Sequence, residues 1–248
     1  MNLIRKNYIL FLLLVLCLSS CVKYKSIINY NEDTNVLKQP QIIGNYTPIT
    51  IQPNDILQIE VVSIEEDAVI LFNNYQENGY LVGPDGNIDF PLLGQVNVKE
   101  KTTSEARKML LEGLTKYFVE APIINLRIAN FTIHVNGEVN RPGSFTISNE
   151  RLSVIEAVTQ AGDFTPYARR DSILIIREVG NTRMFGYVNF NSADIFNSPY
   201  FYLRQNDVIY IMPDKSKLGT IRERELKYVP FLSIGISVLI LGITIFNL

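Results

Sequence analysis

Two apolar runs bracket this chain, and only the stretch between them has the composition of a fold in water. Ile9 to Leu18 is the first, ten residues preceded by Arg5 and Lys6. That is too short to span a bilayer and has the order of an export signal. Tyr228 to Phe246 is the second, nineteen residues without a charge. As a helix rising about 1.5 Å per residue it reaches roughly 28 Å, close to the thickness of a hydrocarbon core. A core helix is seldom apolar on every side, so the run reads as a membrane helix.

The first run closes on Leu18-Ser19-Ser20-Cys21, small residues before a cysteine, which is the pattern of a lipobox. Cys21 is then the lipidated first residue of the mature chain, held to a membrane surface without spanning it. Cys17 leaves with the signal, so no disulfide and no thiolate metal site forms within one subunit. Lysine and arginine total 23 against 25 acidic residues, a net charge of −2. With no basic patch interleaved with aromatics, nucleic acid is excluded as a partner.

The chain divides into a signal peptide 1–20, a lipidated polar tether 21–46, a body of two halves (47–130 and 131–213), a charged linker 214–227 and the span 228–246. In the first half the strand Ile56 to Val62 follows the turn Pro53-Asn54-Asp55, and residues 64 to 79 read as a loop. Pro84-Asp85-Gly86 lies between two apolar runs and predicts a hairpin. Thr102 and Glu105 form a capping box, and Ala106, Leu110 and Leu114 line one helical face. Ile124, Leu126 and Ile128 alternate as a strand. In the second half Phe131 to Val139 is a strand, and Asn140 to Gly143 a turn. Ser153 and Glu156 cap a short helix that Gly162 ends. Ile173 to Arg177, Met184 to Phe190 and Leu203 to Met212 complete the strands. Asn54-Asp55-Ile56 is echoed by Asn206-Asp207-Val208. The fold class is α+β, two small β-rich units with one helix on each curled sheet.

These motifs resemble the polysaccharide biosynthesis/export family. Ile51-Gln52-Pro53-Asn54-Asp55-Ile56-Leu57-Gln58-Ile59 is similar to its opening segment, with Asn54 where glycine is usual. Val82 to Val96 carries its second motif, with Pro84, Asp85, Gly86, Pro91 and Gly94 in place. Residues 131–213 resemble the soluble-ligand-binding β-grasp (SLBB) domain that comes next in that family, through Gly137, Glu138, Pro142 and Gly143. Ala161-Gly162-Asp163 then stands for its Ala-Gly-Gly, and Asn206-Asp207 for its Gly-Asp. The resemblance implies a Wza-type organisation: a homo-oligomeric ring with a periplasmic body and C-terminal helices in the outer membrane. It also implies an exported polysaccharide chain as cargo and an inner-membrane polysaccharide co-polymerase with its tyrosine kinase as partner. Only one SLBB domain fits here, so the periplasmic reach is expected to be short.

Nothing recommends catalysis, a cofactor or a metal. His134 lies on the polar side of a strand with Thr132 and Asn136. Asp85, Glu138 and Asp207 lie in turn motifs, where such side chains bond local backbone, rather than flanking a glycosidic bond as a pair. No glycine-rich phosphate loop precedes a helix. Ser233, Ser237 and Thr244 fall within about 40° on a helical wheel. They are candidates to face a wet lumen, or small residues at which membrane helices pack. The linker 214–227 is compatible with a continued helix or a solvated hinge. If Cys21 is the lipid attachment site, Cys21→Ser abolishes acylation and processing. Mass spectrometry of the mature protein decides, and an unmodified N-terminus elsewhere would sink the assignment.

Overall fold

The computed structural model describes residues 28–218 apart from 33, 39, 41, 42, 45, 65, 74–78 and 181, together with the single positions 234, 235, 237, 240, 242 and 244. The first half contains β1 (Ile56–Val62), α1 (Glu66–Asn73), β2 (Tyr80–Leu81), β3 (Asn87–Phe90), β4 (Gly94–Asn97), α2 (Thr103–Leu114) and β5 (Ile123–Ile128). The second contains β6 (Thr132–Gly137), β7 (Gly143–Thr146), α3 (Val154–Gln160), β8 (Ala168–Val179), β9 (Thr182–Val188) and β10 (Val208–Pro213). Both halves are β-rich with a few short helices, an α+β fold.

The first sheet has the order β2-β1-β5 and is antiparallel throughout. Leu57, Ile59 and Val61 of β1 and Ile124 and Leu126 of β5 point to one side, as strand alternation requires. α2 covers them with Ala106, Leu110 and Leu114, each fully buried. Its capping box forms as the sequence predicts, Glu105 N–H donating to Thr102 Oγ1 and Thr102 N–H to Glu105 Oε2. The second sheet has the order β7-β6-β10-β8-β9, with β6 and β10 parallel and the other pairs antiparallel. α3 packs on one face through Val154, Ala157 and Val158, over Ile133, Val135, Ile173, Ile175, Ile209 and Ile211.

Several expectations need correction. Residues 64 to 79 are not simply a loop, since α1 forms within them. Phe72 of α1 is buried, its ring centroid 5.7 Å from Phe90 and 6.0 Å from Phe118. The Asn73 amide bonds both backbone groups of Val61, standing in for a strand neighbour. The hairpin is also displaced. Pro84-Asp85-Gly86 links β2, which pairs with β1, to β3, which pairs with β4. The turn that closes a hairpin is Pro91-Leu92-Leu93 between β3 and β4, where Leu92 takes φ 63°. β8 is twelve residues long, because Ala168 already pairs with Pro213. Part of the expected tether is docked on the second half. Tyr30 N–H donates to Phe190 O at 2.8 Å and Glu32 N–H to Asn191 O at 2.9 Å.

Among the described residues no helix is long and apolar enough to cross a membrane. The expected span 228–246 lies mostly outside them. The six of its positions that are described are helical.

The second core encloses one buried ion pair. Arg177 donates from Nε to Asp207 Oδ1 at 2.9 Å and from Nη2 to Oδ2 at 2.7 Å, with Arg177 5% and Asp207 0% exposed. Nη2 also reaches Tyr202 O, and the guanidinium lies 5.2 Å from the Tyr200 ring centroid. Removing one member of such a pair strands the other charge in a low-dielectric interior. Arg177→Met should therefore cost about 3–5 kcal/mol in urea unfolding. The double variant Arg177→Met, Asp207→Asn should recover much of that, and simple additivity of the two losses would count against the account.

Candidate functional site

Three of the residues singled out in the sequence, Pro53, Asp55 and Asp207, lie in two matching turns. In the first, Asp55 N–H donates to Gln52 O, and Gln52 N–H returns a bond to Asp55 Oδ2 at 2.9 Å. In the second, Asp207 N–H donates to Arg204 O, and Arg204 N–H returns one to Asp207 Oδ2 at 2.8 Å. Asn54 and Asn206 take φ 71° and 64°, the left-handed region that Asn tolerates better than most residues. Pro53 precedes the first of them. Each turn launches a strand, β1 or β10. The echo in the sequence is thus one local structure built twice.

An amide side chain clasps each turn to the chain between the halves. Asn130 Oδ1 accepts from Ile56 N–H at 2.8 Å and its Nδ2 donates to Asn54 O at 3.0 Å. Gln205 Nε2 donates to Asn130 O at 2.8 Å, and its Oε1 accepts from Thr132 N–H at 2.9 Å. Sequence reading missed both amides. Their only signal is polar residues beside the strand ends.

The other motif residues serve local geometry. Gly86 takes φ 85°, and a Cβ there would meet Lys99 Cβ at 2.3 Å. Asp85 Oδ1 accepts from Asn87 N–H, which shapes the turn from Pro84 onward. Pro91 starts the turn between β3 and β4, and Gly94 leaves it at φ 69°. Gly137 takes φ 96°, and a Cβ would lie 1.9 Å from Ile211 O, so no side chain fits beside β10. Pro142 and Gly143 lie in the turn into β7 that also closes the end of α3. There Asn140 Nδ2 donates to Gly162 O at 2.7 Å and Arg141 N–H to Ala161 O at 2.8 Å. Gly162 and Asp163 come next at φ 78° and 68°, so Asp163 occupies a left-handed position that glycine fills more easily.

The three acidic residues weighed for hydrolysis are each engaged by partners of their own. Asp207 has Arg177, which the sequence did not reveal. Glu138 departs from the expectation of a local backbone bond. Its side chain accepts from Thr165 Oγ1 at 2.7 Å and from Lys217 Nζ, which ties the start of the C-terminal segment to the body. Burial pushes the Glu138 carboxyl up, but the bonds from Lys217 and Thr165 and the Lys217 charge outweigh it and hold it below its usual range. His134 Nδ1 lies 2.8 Å from Ser144 Oγ, an ordinary cross-strand contact. Among the described residues no group of His, Cys, Asp or Glu is arranged to hold a metal. Cys21 and Ser233 lie outside the described residues. Ser237 and Thr244 are helical and exposed, and Thr244 Oγ1 donates to Ile240 O of its own helix at 2.6 Å.

Residues 44–129 match the model of the family described as polysaccharide biosynthesis/export protein, and residues 132–187 match that of the SLBB domain. Together the two matches cover more than half of the chain. Over 88 residues the chain is 32% identical to the EPS I polysaccharide export outer membrane protein EpsA of Ralstonia nicotianae, which is 34% of this chain and 23% of that protein. Over 139 residues it is 27% identical to the protein of the same name from Ralstonia solanacearum, 49% of this chain and 37% of the relative. The exopolysaccharide production protein ExoF of Rhizobium meliloti is 30% identical over 86 residues, 34% of this chain and 20% of its own length. The chain thus spans less than two fifths of each of these curated relatives.

Asp55 is 2% exposed and has no cation like Arg177 beside it among its hydrogen-bond partners. Burial lifts its pKa to about 6 from 3.8, only partly opposed by the bond from Gln52. A carboxyl with a raised native pKa adds stability that is full below about pH 4 and is lost as pH rises through about 6. Asp55→Asn keeps an acceptor for Gln52 N–H and carries no charge. Its melting temperature relative to the parent should be higher at pH 8 than at pH 4.5. A difference that does not change between those pH values would refute this.

Proposed function

The chain belongs to the polysaccharide biosynthesis/export family, and from that membership we propose that it is a subunit of a ring-shaped homo-oligomer that carries polysaccharide across the outer membrane. One observation carries the reading most directly. The two family models match in order, and two of the relatives that share this region are named as export proteins of the outer membrane. The cargo is a capsular polysaccharide or exopolysaccharide, and the inner-membrane partner a polysaccharide co-polymerase with its tyrosine kinase.

In this reading Cys21 carries the lipid, the two β-rich halves form the periplasmic body, and 228–246 supplies a helix to a membrane collar. The absence of charge over nineteen residues supports the last element, since each charge at the centre of a bilayer costs several kcal/mol. A single such helix makes no pore. Several around an axis enclose one, which is why the reading requires a ring. Ser237 and Thr244 share a helical face that would line it, together with Ser233.

An epitope tag after Leu248 should then be labelled on intact cells. The double variant Ser237→Leu, Thr244→Leu should lower polysaccharide release severalfold while rings persist in electron micrographs of detergent-purified protein. A tag reached only after the outer membrane is opened would leave a lipid-anchored, non-conducting adaptor as the better description.

A further inference from the structure

The first sheet carries a polar array on the side away from α2's apolar face. Gln58 and Glu60 of β1 stand directly across from Arg127 and Asn125 of β5. Arg127 donates from Nε and Nη2 to Gln58 Oε1 at 3.0 and 2.7 Å, and Asn125 Nδ2 donates to Glu60 Oε2 at 3.1 Å. Three cross-strand bonds thus fix four planar side chains on a strand pair whose backbone is already hydrogen-bonded. Arg107 of α2 lines the same groove, whose volume is about 270 Å³.

The hydrogen-bonding capacity left over is specific. Arg127 Nη1, Gln58 Nε2 and all of the Arg107 guanidinium remain as donors, and Glu60 Oε1 and Asn125 Oδ1 as acceptors. Neither arginine forms an ion pair with a carboxylate among the described residues. Two guanidiniums against one carboxylate give the array a formal charge of +1. No aromatic ring among the described residues lines the groove, so stacking is not its means of recognition.

Donors alternating with acceptors on preset planar groups suit vicinal hydroxyls, and an unpaired guanidinium suits a carboxylate, which it meets with two parallel bonds. We infer that this groove binds a sugar unit bearing a carboxylate, such as a uronic acid residue of an acidic polysaccharide. The inference rests on the export reading for the class of polymer and adds to it both a site and a charge. The volume lies just below the roughly 300 Å³ lower end of small-ligand sites, enough for one or two sugar units. Open to water and screened by salt, such a site is weak on its own. Weak sites repeated around an oligomer hold a polymer by avidity without stopping its passage.

The test uses full-length protein in detergent, titrated calorimetrically at low salt with tetragalacturonic acid and with maltotetraose, a neutral tetramer. Tetragalacturonic acid should bind at least tenfold more tightly. Arg107→Gln, at an exposed position where folding is undisturbed, should weaken it about tenfold. Glu60→Gln removes the like charge and should strengthen it severalfold. Arg107→Lys keeps the charge but not the two parallel bonds and should also weaken binding severalfold, which separates a built site from general surface charge. No binding of either tetramer, equal binding of both, or no change in Arg107→Gln overturns the proposal. Complementation of a gene deletion by the unaltered chain keeps the two readings apart. Export restored alongside a flat titration removes the groove alone. Export not restored removes the export reading, and the titration still judges the groove.

Discussion

The architecture depends on how one short connection, Ala129 to Phe131, meets two turns that lie far from each other in sequence. Asn130 and Gln205 each satisfy a donor and an acceptor of backbone with a single planar amide. Ala129 N–H adds a bond to Ile56 O at 2.8 Å, and Asn206 N–H one to Thr132 O at 2.8 Å. These bonds place the start of β1 beside the end of β5 and the start of β10 beside β6. A strand pair slipped by one residue would turn its buried side chains to solvent. The register of both sheets is therefore set where the two halves join, and the buried side chains of each core are dictated by that register.

The two aspartate turns illustrate what burial does to the same local structure. Their backbone bonds match to within 0.1 Å, yet Asp207 is compensated by Arg177 and Asp55 is not. Arg177 comes from β8, the neighbour of β10 in the second sheet, whereas β2 and β5, the neighbours of β1, bring no ion-pair partner to Asp55 among the described residues. β1 lies between β2 and β5, and β2 is only two residues long. The charge at Asp55 is left to its own turn, and its raised pKa is the consequence. A duplicated motif thus carries different chemistry because the neighbouring strands bring different residues to it.

What was legible in the sequence was local. Both capping boxes, the buried face of α2, the alternation in β1, β5 and β6 and the paired turns come from contacts a few residues apart, where periodicity and capping chemistry act. Asn54 and Asp163, standing where the family has glycine, adopt the positive φ that the glycine pattern implies. What was not legible was long-range. The Arg177 pair with Asp207 spans 30 residues, the Lys217 pair with Glu138 spans 79, and the bond from Arg170 to Asn29 spans 141. No local pattern marks them. α1 was missed because its apolar residues sit beside glutamates and asparagines that suggest a loop, and the burial of Phe72 on Phe90 and Phe118 overrides that composition. The hairpin at Pro84 was misplaced because turn residues announce a turn and not which strands it joins.

The Glu138 contact has the widest mechanical consequence. β10 is the central strand of the second sheet and ends at Pro213, after which Asp214 N–H donates to Tyr167 O at 2.7 Å and Ser216 N–H to Asp214 Oδ1 at 2.9 Å. Lys217 then reaches Glu138, which is itself held by Thr165. The direction in which the chain leaves the body is thus set from the segments around 138 and 165–167, beside the turn that closes α3. Gly137 permits this arrangement, since any side chain there would displace Ile211 of β10 and with it the geometry of the exit. The glycine and glutamate of one motif therefore act together, one by admitting β10 and the other by holding the segment that leaves it. In the proposed ring, where each subunit sends a helix toward the membrane, a fixed exit would let rigid bodies impose a common direction on those helices. A charged pair suits that task better than apolar packing, because it fixes orientation at a partly exposed site where there is little apolar surface to bury.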